Sequence, residues 1–135
     1  IDYITIASTG NASDFGDLVS SYTPRSPAAA SNGTRAVFAG DHDFSYVNTM
    51  QYVTIASTGN ATDFGDQSQG RGRMGGVASP LRGVYAGGGR VSGSAVNIMD
   101  YITIASTGNA TDFGDLLSVY SEFMSSGASG HGGIS

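Results

Sequence analysis

The densest run of chemically capable side chains is Asp41-His42-Asp43-Phe44. A histidine between two carboxylates can hold a divalent cation or serve as an oriented general base, since imidazole titrates near neutrality and carboxylates fix its tautomer. Phe44, Tyr46 and Tyr22 would add aromatic platforms beside these polar groups, the combination a sugar pocket requires. The run occurs once, and its counterpart 47 residues later is the glycine-rich stretch ending in Arg90. A solvated loop is therefore the preferred reading, because loop polar residues need no special role. The second histidine, His131, lies in a glycine-rich stretch suited to an edge or terminal segment.

A second set of oxygen donors recurs. Asn-Ala-Ser/Thr-Asp-Phe-Gly-Asp appears three times, supplying Asn11, Asn60 and Asn109 with Asp14, Asp17, Asp63, Asp66, Asp112 and Asp115. Calcium prefers such hard oxygen ligands, but the alternating Asp-x-Asp-x-Asp-Gly spacing is missing, and Asx side chains commonly close turns on their own backbone. Turn chemistry is preferred to metal. No metal or other cofactor is expected. Asn11, Asn32, Asn60 and Asn109 also sit in glycosylation sequons, yet nothing else points to a secreted eukaryotic setting.

Other chemistries are excluded by composition. With no Cys there are no thiol nucleophiles, disulfides or thiolate metal sites. The Gly-Arg-rich stretches lack the lysine of a phosphate-binding P-loop, for the chain has no Lys at all. Ten Asp and one Glu against six Arg give a net charge of -5, which disfavours phosphate neutralisation and hence nucleic acid. No apolar run approaches the ~20 residues of a membrane helix. No acid/base pair is clustered in more than one repeat, so an enzyme is not expected.

The elements that would position these residues follow from the repeat. Tyr3, Tyr52 and Tyr101 head three nearly identical fifteen-residue phrases at a period of 49 residues. That period matches a four-stranded blade, and 21 Gly with little helix-forming sequence argues against helical repeats. Within residues 67–115, strands are expected over 72–79 and 82–89. A third is expected over 97–105, where Met99, Tyr101 and Thr103 alternate with Ile98, Asp100, Ile102 and Ile104. A tight turn using Gly108 and Asn109 at positive φ leads to the fourth, from Ala110. Arg35 and Arg82 open the second strands and are expected to pair with repeat aspartates between blades.

Gly87, Gly88 and Gly89 after the second strand, Tyr101 on the third and Phe113 on the fourth resemble a kelch-type β-propeller blade, with Phe113 where kelch repeats usually carry tryptophan. The earlier copy offers Gly40 followed by Asp41. The copper-oxidase variant of that architecture cannot apply without Cys. The phrase itself, with the linked stretch over 82–89, is similar to tandem repeats of structural proteins from marine bacteriophages, cyanophages especially. That resemblance implies a virion or tail-fibre component, in a virion or extracellular setting.

The expected architecture is therefore all-β: kelch-like propeller repeats of about 49 residues, four antiparallel strands per blade and about three blades per chain. Residues 1–17 read as a half blade, 18–66 and 67–115 as blades, and 116–135 as a half blade completing a ring or partner. Propellers need at least four blades, so closure is expected from a homo-oligomer, a six-bladed dimer being favoured, or from a longer chain. Tyr3, Tyr52, Tyr101, Phe15, Phe64, Phe113, Asp17, Asp66 and Asp115 read as structural repeat residues. The segments that vary between repeats are where a ligand would be read, naming Asp41, His42, Asp43, Phe44, Tyr46 and Arg90 as candidate binding residues. The favoured function is a non-enzymatic structural or adhesion protein that touches a host glycan or receptor; a lectin-like propeller, or less favourably a glycan-acting enzyme, is the alternative.

Overall fold

The computed structural model of the chain describes residues 1–19, 26–43, 45–89 and 94–120, with side chains for all of these except 41–43, 45 and 120. It is all-β, in three antiparallel sheets. Strands β1 (Asp2–Tyr3) and β2 (Ser13–Asp14) form a two-stranded ribbon. Strands β3 (Ala28–Ser31), β4 (Arg35–Asp43), β5 (Ser45–Thr54) and β6 (Thr62–Asp66) form a four-stranded meander. A second meander contains β7 (Gly75–Ala78), β8 (Arg82–Ala86), β9 (Val96–Thr103) and β10 (Thr111–Tyr120).

The strands form where alternation lets one face be buried. Ala28 and Ala30 are buried while Ala29 and Ser31 are exposed. Along β9 and just beyond it, Asp100, Ile102 and Ile104 are buried, and Thr103 between them is exposed. The first strands of the two meanders lie against each other, and small residues make this possible. A Cβ on Gly76 would stand 2.4 Å from the Ala29 carbonyl oxygen, and one on Gly83 would stand 2.8 Å from the Ala30 Cβ. Where backbones approach this closely no larger side chain fits. The core between the meanders is built from Ala28, Ala30, Val37, Ala39, Met50, Phe64, Met74, Tyr85, Ile102 and Ile104. Its large members each contribute roughly 1.5–3 kcal/mol by burial.

A polar keystone sits at one side of this core. Arg71 is fully buried and meets Asp100 Oδ2 at 2.8 Å, and it also donates to the carbonyls of Gly87 (2.9 Å), Ile98 (2.8 Å) and Tyr85 (3.3 Å). Ser68 donates through its hydroxyl to the same carboxylate oxygen at 2.7 Å. Desolvation lowers the pKa of the Arg71 guanidinium, opposed by the charge and hydrogen bond of Asp100. Nearby, the buried Tyr85 hydroxyl donates to the Val37 carbonyl at 3.0 Å, tying one meander to the other.

Several boundaries differ from the sequence expectation. Strand β8 stops at Ala86, because Gly87 (φ 65°) and Gly88 (φ 99°) turn the backbone out of the extended region. Strand β7 starts at Gly75 rather than 72, after Arg73 at φ 63°. The turn after β9 is centred on Thr103–Ser106, closed by Ser106 N–H donating to the Thr103 carbonyl. Among the described residues Arg73 alone combines positive φ with a side chain, so Asn109 does not occupy the left-handed position expected of it. The stretch from Gly108 to Ala110 is instead free for another role.

Candidate interaction site

The recurrent phrase turns out to bond to itself. Strand β6 presents Phe64, Gly65 and Asp66 to the hairpin arm Gly108-Asn109-Ala110 of the next repeat. Gly108 N–H donates to the Phe64 carbonyl at 2.7 Å and Ala110 N–H to the Asp66 carbonyl at 2.8 Å. Asn109 Oδ1 accepts from Asp66 N–H at 3.0 Å. One repeat earlier the same atoms meet at the same lengths: Gly59 N–H to the Phe15 carbonyl (2.7 Å), Ala61 N–H to the Asp17 carbonyl (2.8 Å), Asp17 N–H to Asn60 Oδ1 (2.9 Å). A fourth rung joins Val19 N–H to Gln51 Oε1 (2.6 Å) and, 49 residues on, Ser68 N–H to Asp100 Oδ2 (3.2 Å).

This joint explains the glycine of the phrase. A Cβ on Gly65 would stand 2.4 Å from the Gly108 carbonyl oxygen, and one on Gly16 at the same distance from that of Gly59. Both positions also have φ near +140°, where side chains are strained. The joint further explains the asparagine. Turn closure on their own backbone was the expectation for Asn60 and Asn109, and the structure corrects it: their side chains satisfy a neighbouring repeat. Own-backbone closure does hold for Asp14, Asp112 and Asn32, whose Oδ1 atoms accept from Gly16, Gly114 and Thr34.

An aromatic pair recurs in each copy of the phrase. Tyr3–Phe15, Tyr52–Phe64 and Tyr101–Phe113 meet edge to face with centroids 5.9, 5.9 and 6.0 Å apart. Arg35 stacks over Tyr52 at 4.6 Å and Arg82 over Tyr101 at 4.8 Å. Arg35 then reaches the next repeat through the carbonyls of Ile104 (3.2 Å) and Ala105 (2.9 Å). Backbone oxygens, rather than the expected aspartates, receive it, because the hairpin turn offers carbonyls that no strand pairs.

The variable-segment residues divide differently. Asp41, His42 and Asp43 do not lie on a loop: they continue β4, opposite Val47, Tyr46 and Ser45 of β5. Gly40, at φ 65°, marks the irregularity that precedes them, and its missing Cβ would meet the Arg71 carbonyl oxygen, so the chain resumes its strand beyond a pinned point. Tyr46 is half-buried there. Phe44, Arg90, Tyr22 and His131 lie outside the described residues. Among the described residues no three His, Asp or Glu side chains gather as a metal site.

A shallow recess of about 200 Å³ opens beneath the third hairpin, beside Phe64, Tyr101, Ser106, Thr107 and Asn109. One of about 110 Å³ lies at the equivalent Tyr3, Ser8 and Asn11. Both fall below the ~300 Å³ at which small-molecule pockets begin. Comparison with known proteins finds no matching family model and no match among curated proteins.

The joint was legible in the sequence only as repetition. Its backbone bonds join residues 44 apart and its asparagine bonds residues 43 apart, which no motif spells, and Arg71 gave no signal beyond standing in a glycine-rich stretch.

Proposed function

We propose that the chain is a non-enzymatic structural or adhesion protein, a propeller-like array of repeats assembling with copies of itself, of the kind that builds or decorates a phage particle. The observation that carries this reading is where the chemistry of the phrase goes. Its most faithfully repeated polar atoms are consumed in binding repeat to repeat, at distances equal within about 0.1 Å between the two joints. A catalytic constellation would leave such atoms facing a cavity instead.

On this reading the hairpin of β4 and β5, with Asp41, His42 and Asp43 near its tip, touches the host glycan or receptor. The test is a surface-glycan array run beside a panel of glycoside hydrolase substrates. No turnover is expected on the panel, and any glycan bound should be lost from the triple variant Asp41→Ala, His42→Ala, Asp43→Ala at unchanged thermal stability. Turnover of any substrate would overturn the non-enzymatic reading.

A further inference from the structure

We propose that the first and third copies of the phrase are the two unmated halves of the same joint, and that a second copy of this chain mates them head to tail. Phe113, Gly114, Asp115 and Leu117 of one copy would receive Gly10, Ala12, Asn11 and Asp2 of the next. The inference rests on the structural-repeat reading above and names its partner and its surface.

The correspondence is residue by residue. Shifting the second joint by 49 residues carries Phe64, Gly65, Asp66 and Ser68 onto Phe113, Gly114, Asp115 and Leu117. Shifting its other side back by 98 carries Gly108, Asn109, Ala110 and Asp100 onto Gly10, Asn11, Ala12 and Asp2. Every residue needed for the four rungs is present, with Asp2 supplying the carboxylate that Asp100 supplies inside the chain.

The surfaces show the same incompleteness from both sides. Gly114 has the φ of its equivalents, +133°, yet a Cβ there would meet nothing nearer than Met99 Cε at 3.8 Å, where Gly16 and Gly65 are filled by a carbonyl. Phe64 is 2% exposed beneath its neighbour, whereas Phe113 is 50% exposed. On the opposite side Ile104 is 0% exposed and its equivalent Ile6 is 94% exposed, as Ile4 is exposed where Ile102 is buried. An apolar residue left in water on each face, beside the hydrogen-bonding atoms that accompany its burial at the second joint, is what one half of an interface presents; at the first joint, where residues 1–17 supply only β1 and β2, Ile55 stays 44% exposed. Arg82 takes part as well: it is stacked on Tyr101 as Arg35 is on Tyr52, and since Arg35 reaches the carbonyls of Ile104 and Ala105, the targets of Arg82 are the carbonyls of Ile6 and Ala7 in the next copy.

Such an interface is heterologous, one face meeting a different face. Rotation decides whether copies close into a ring or continue as a filament.

Sedimentation velocity over a concentration series tests it with three proteins. The wild-type chain should associate. Ile6→Asp should weaken association at least about tenfold, since a charge would have to be buried where Ile104 is buried, while a residue so exposed costs the isolated fold nothing. Phe113→Asp blocks the other face. Each variant alone should remain monomeric, but an equal mixture should form a one-to-one complex, because one sound joint survives between them. A face-to-face dimer could not be rescued in this way. Wild-type monomer throughout, undiminished association of Ile6→Asp, or a mixture that stays monomeric would each overturn the proposal. Should Phe113→Asp fail to fold by circular dichroism, Ile6→Asp decides alone. Loss of the joint would leave the non-enzymatic reading standing, which only turnover removes.

Discussion

Arg71 is the residue whose environment is least forgiving. A buried ion pair adds little net stability over a hydrophobic substitute, but removing one partner strands the other charge at a cost of about 3–5 kcal/mol. Asp100→Ala should therefore lower the urea midpoint far more than Ser68→Ala, which removes one hydrogen bond of about 1 kcal/mol. Equal effects would mean that the guanidinium finds sufficient partners in the Gly87, Ile98 and Tyr85 carbonyls. Tyr85 makes a separate prediction. Burial raises its phenol well above the ordinary value of 10.0. Folding thus favours the neutral form, so its contribution is complete below pH 10 and is lost as the pH climbs from there toward the raised folded value. Wild-type stability should fall above pH 10 in chemical denaturation, and Tyr85→Phe should fall less steeply over the same range.

At the scale of elements, the hairpin arm and the strand it meets can be separated by glycine substitution. Gly65 and Gly114 share a strained φ, but only Gly65 is capped by a carbonyl. Backbone strain of about 1–3 kcal/mol should appear in both alanine variants, with a further loss in Gly65→Ala from the obstructed joint. Thermal unfolding at low protein concentration, where copies do not meet, reads the difference. Asn60→Ala and Asn109→Ala should each cost about 1 kcal/mol and add in the double variant, for they serve different joints.

The strands themselves were legible because alternation is written in residue type. Ile98 to Ile104 announces β9, and the small residues of 72–79 announce β7. Their ends were less legible: Gly87 and Gly88 read as strand by composition, but their φ values take them out of it. The Asp41–Asp43 run read as loop by polarity, yet partner register with Tyr46 and Val47 keeps it in the sheet. The joint could not be read at all, since its donors and acceptors are mainly peptide groups, present at every position of any sequence. Only the recurrence of glycine and asparagine beside them hinted at a constraint, and turn chemistry explained that recurrence equally well.

For the whole molecule, cohesion comes from neighbour meeting neighbour. The Asp-rich phrase gives its asparagine oxygens and its aspartate peptide groups to these contacts, so chelation with EDTA should leave the melting temperature unchanged in scanning calorimetry. A fall of several degrees would mean that the aspartate carboxylates hold a cation after all. Stability in such arrays is a sum of unit and nearest-neighbour terms rather than of one central core.

The backbone character of the seam has one more consequence. Because peptide groups, a glycine and an asparagine do the fastening, the seam is blind to which unit stands on either side, and the ornamented segments between can be exchanged without disturbing it. Excising residues 18–66 would bring Asp17 directly before Gln67 and restore the backbone and asparagine fastenings, leaving a shorter molecule with one seam but without Arg35 and the core side chains that β3 to β6 supply. Its melting temperature in scanning calorimetry should therefore fall below that of the parent.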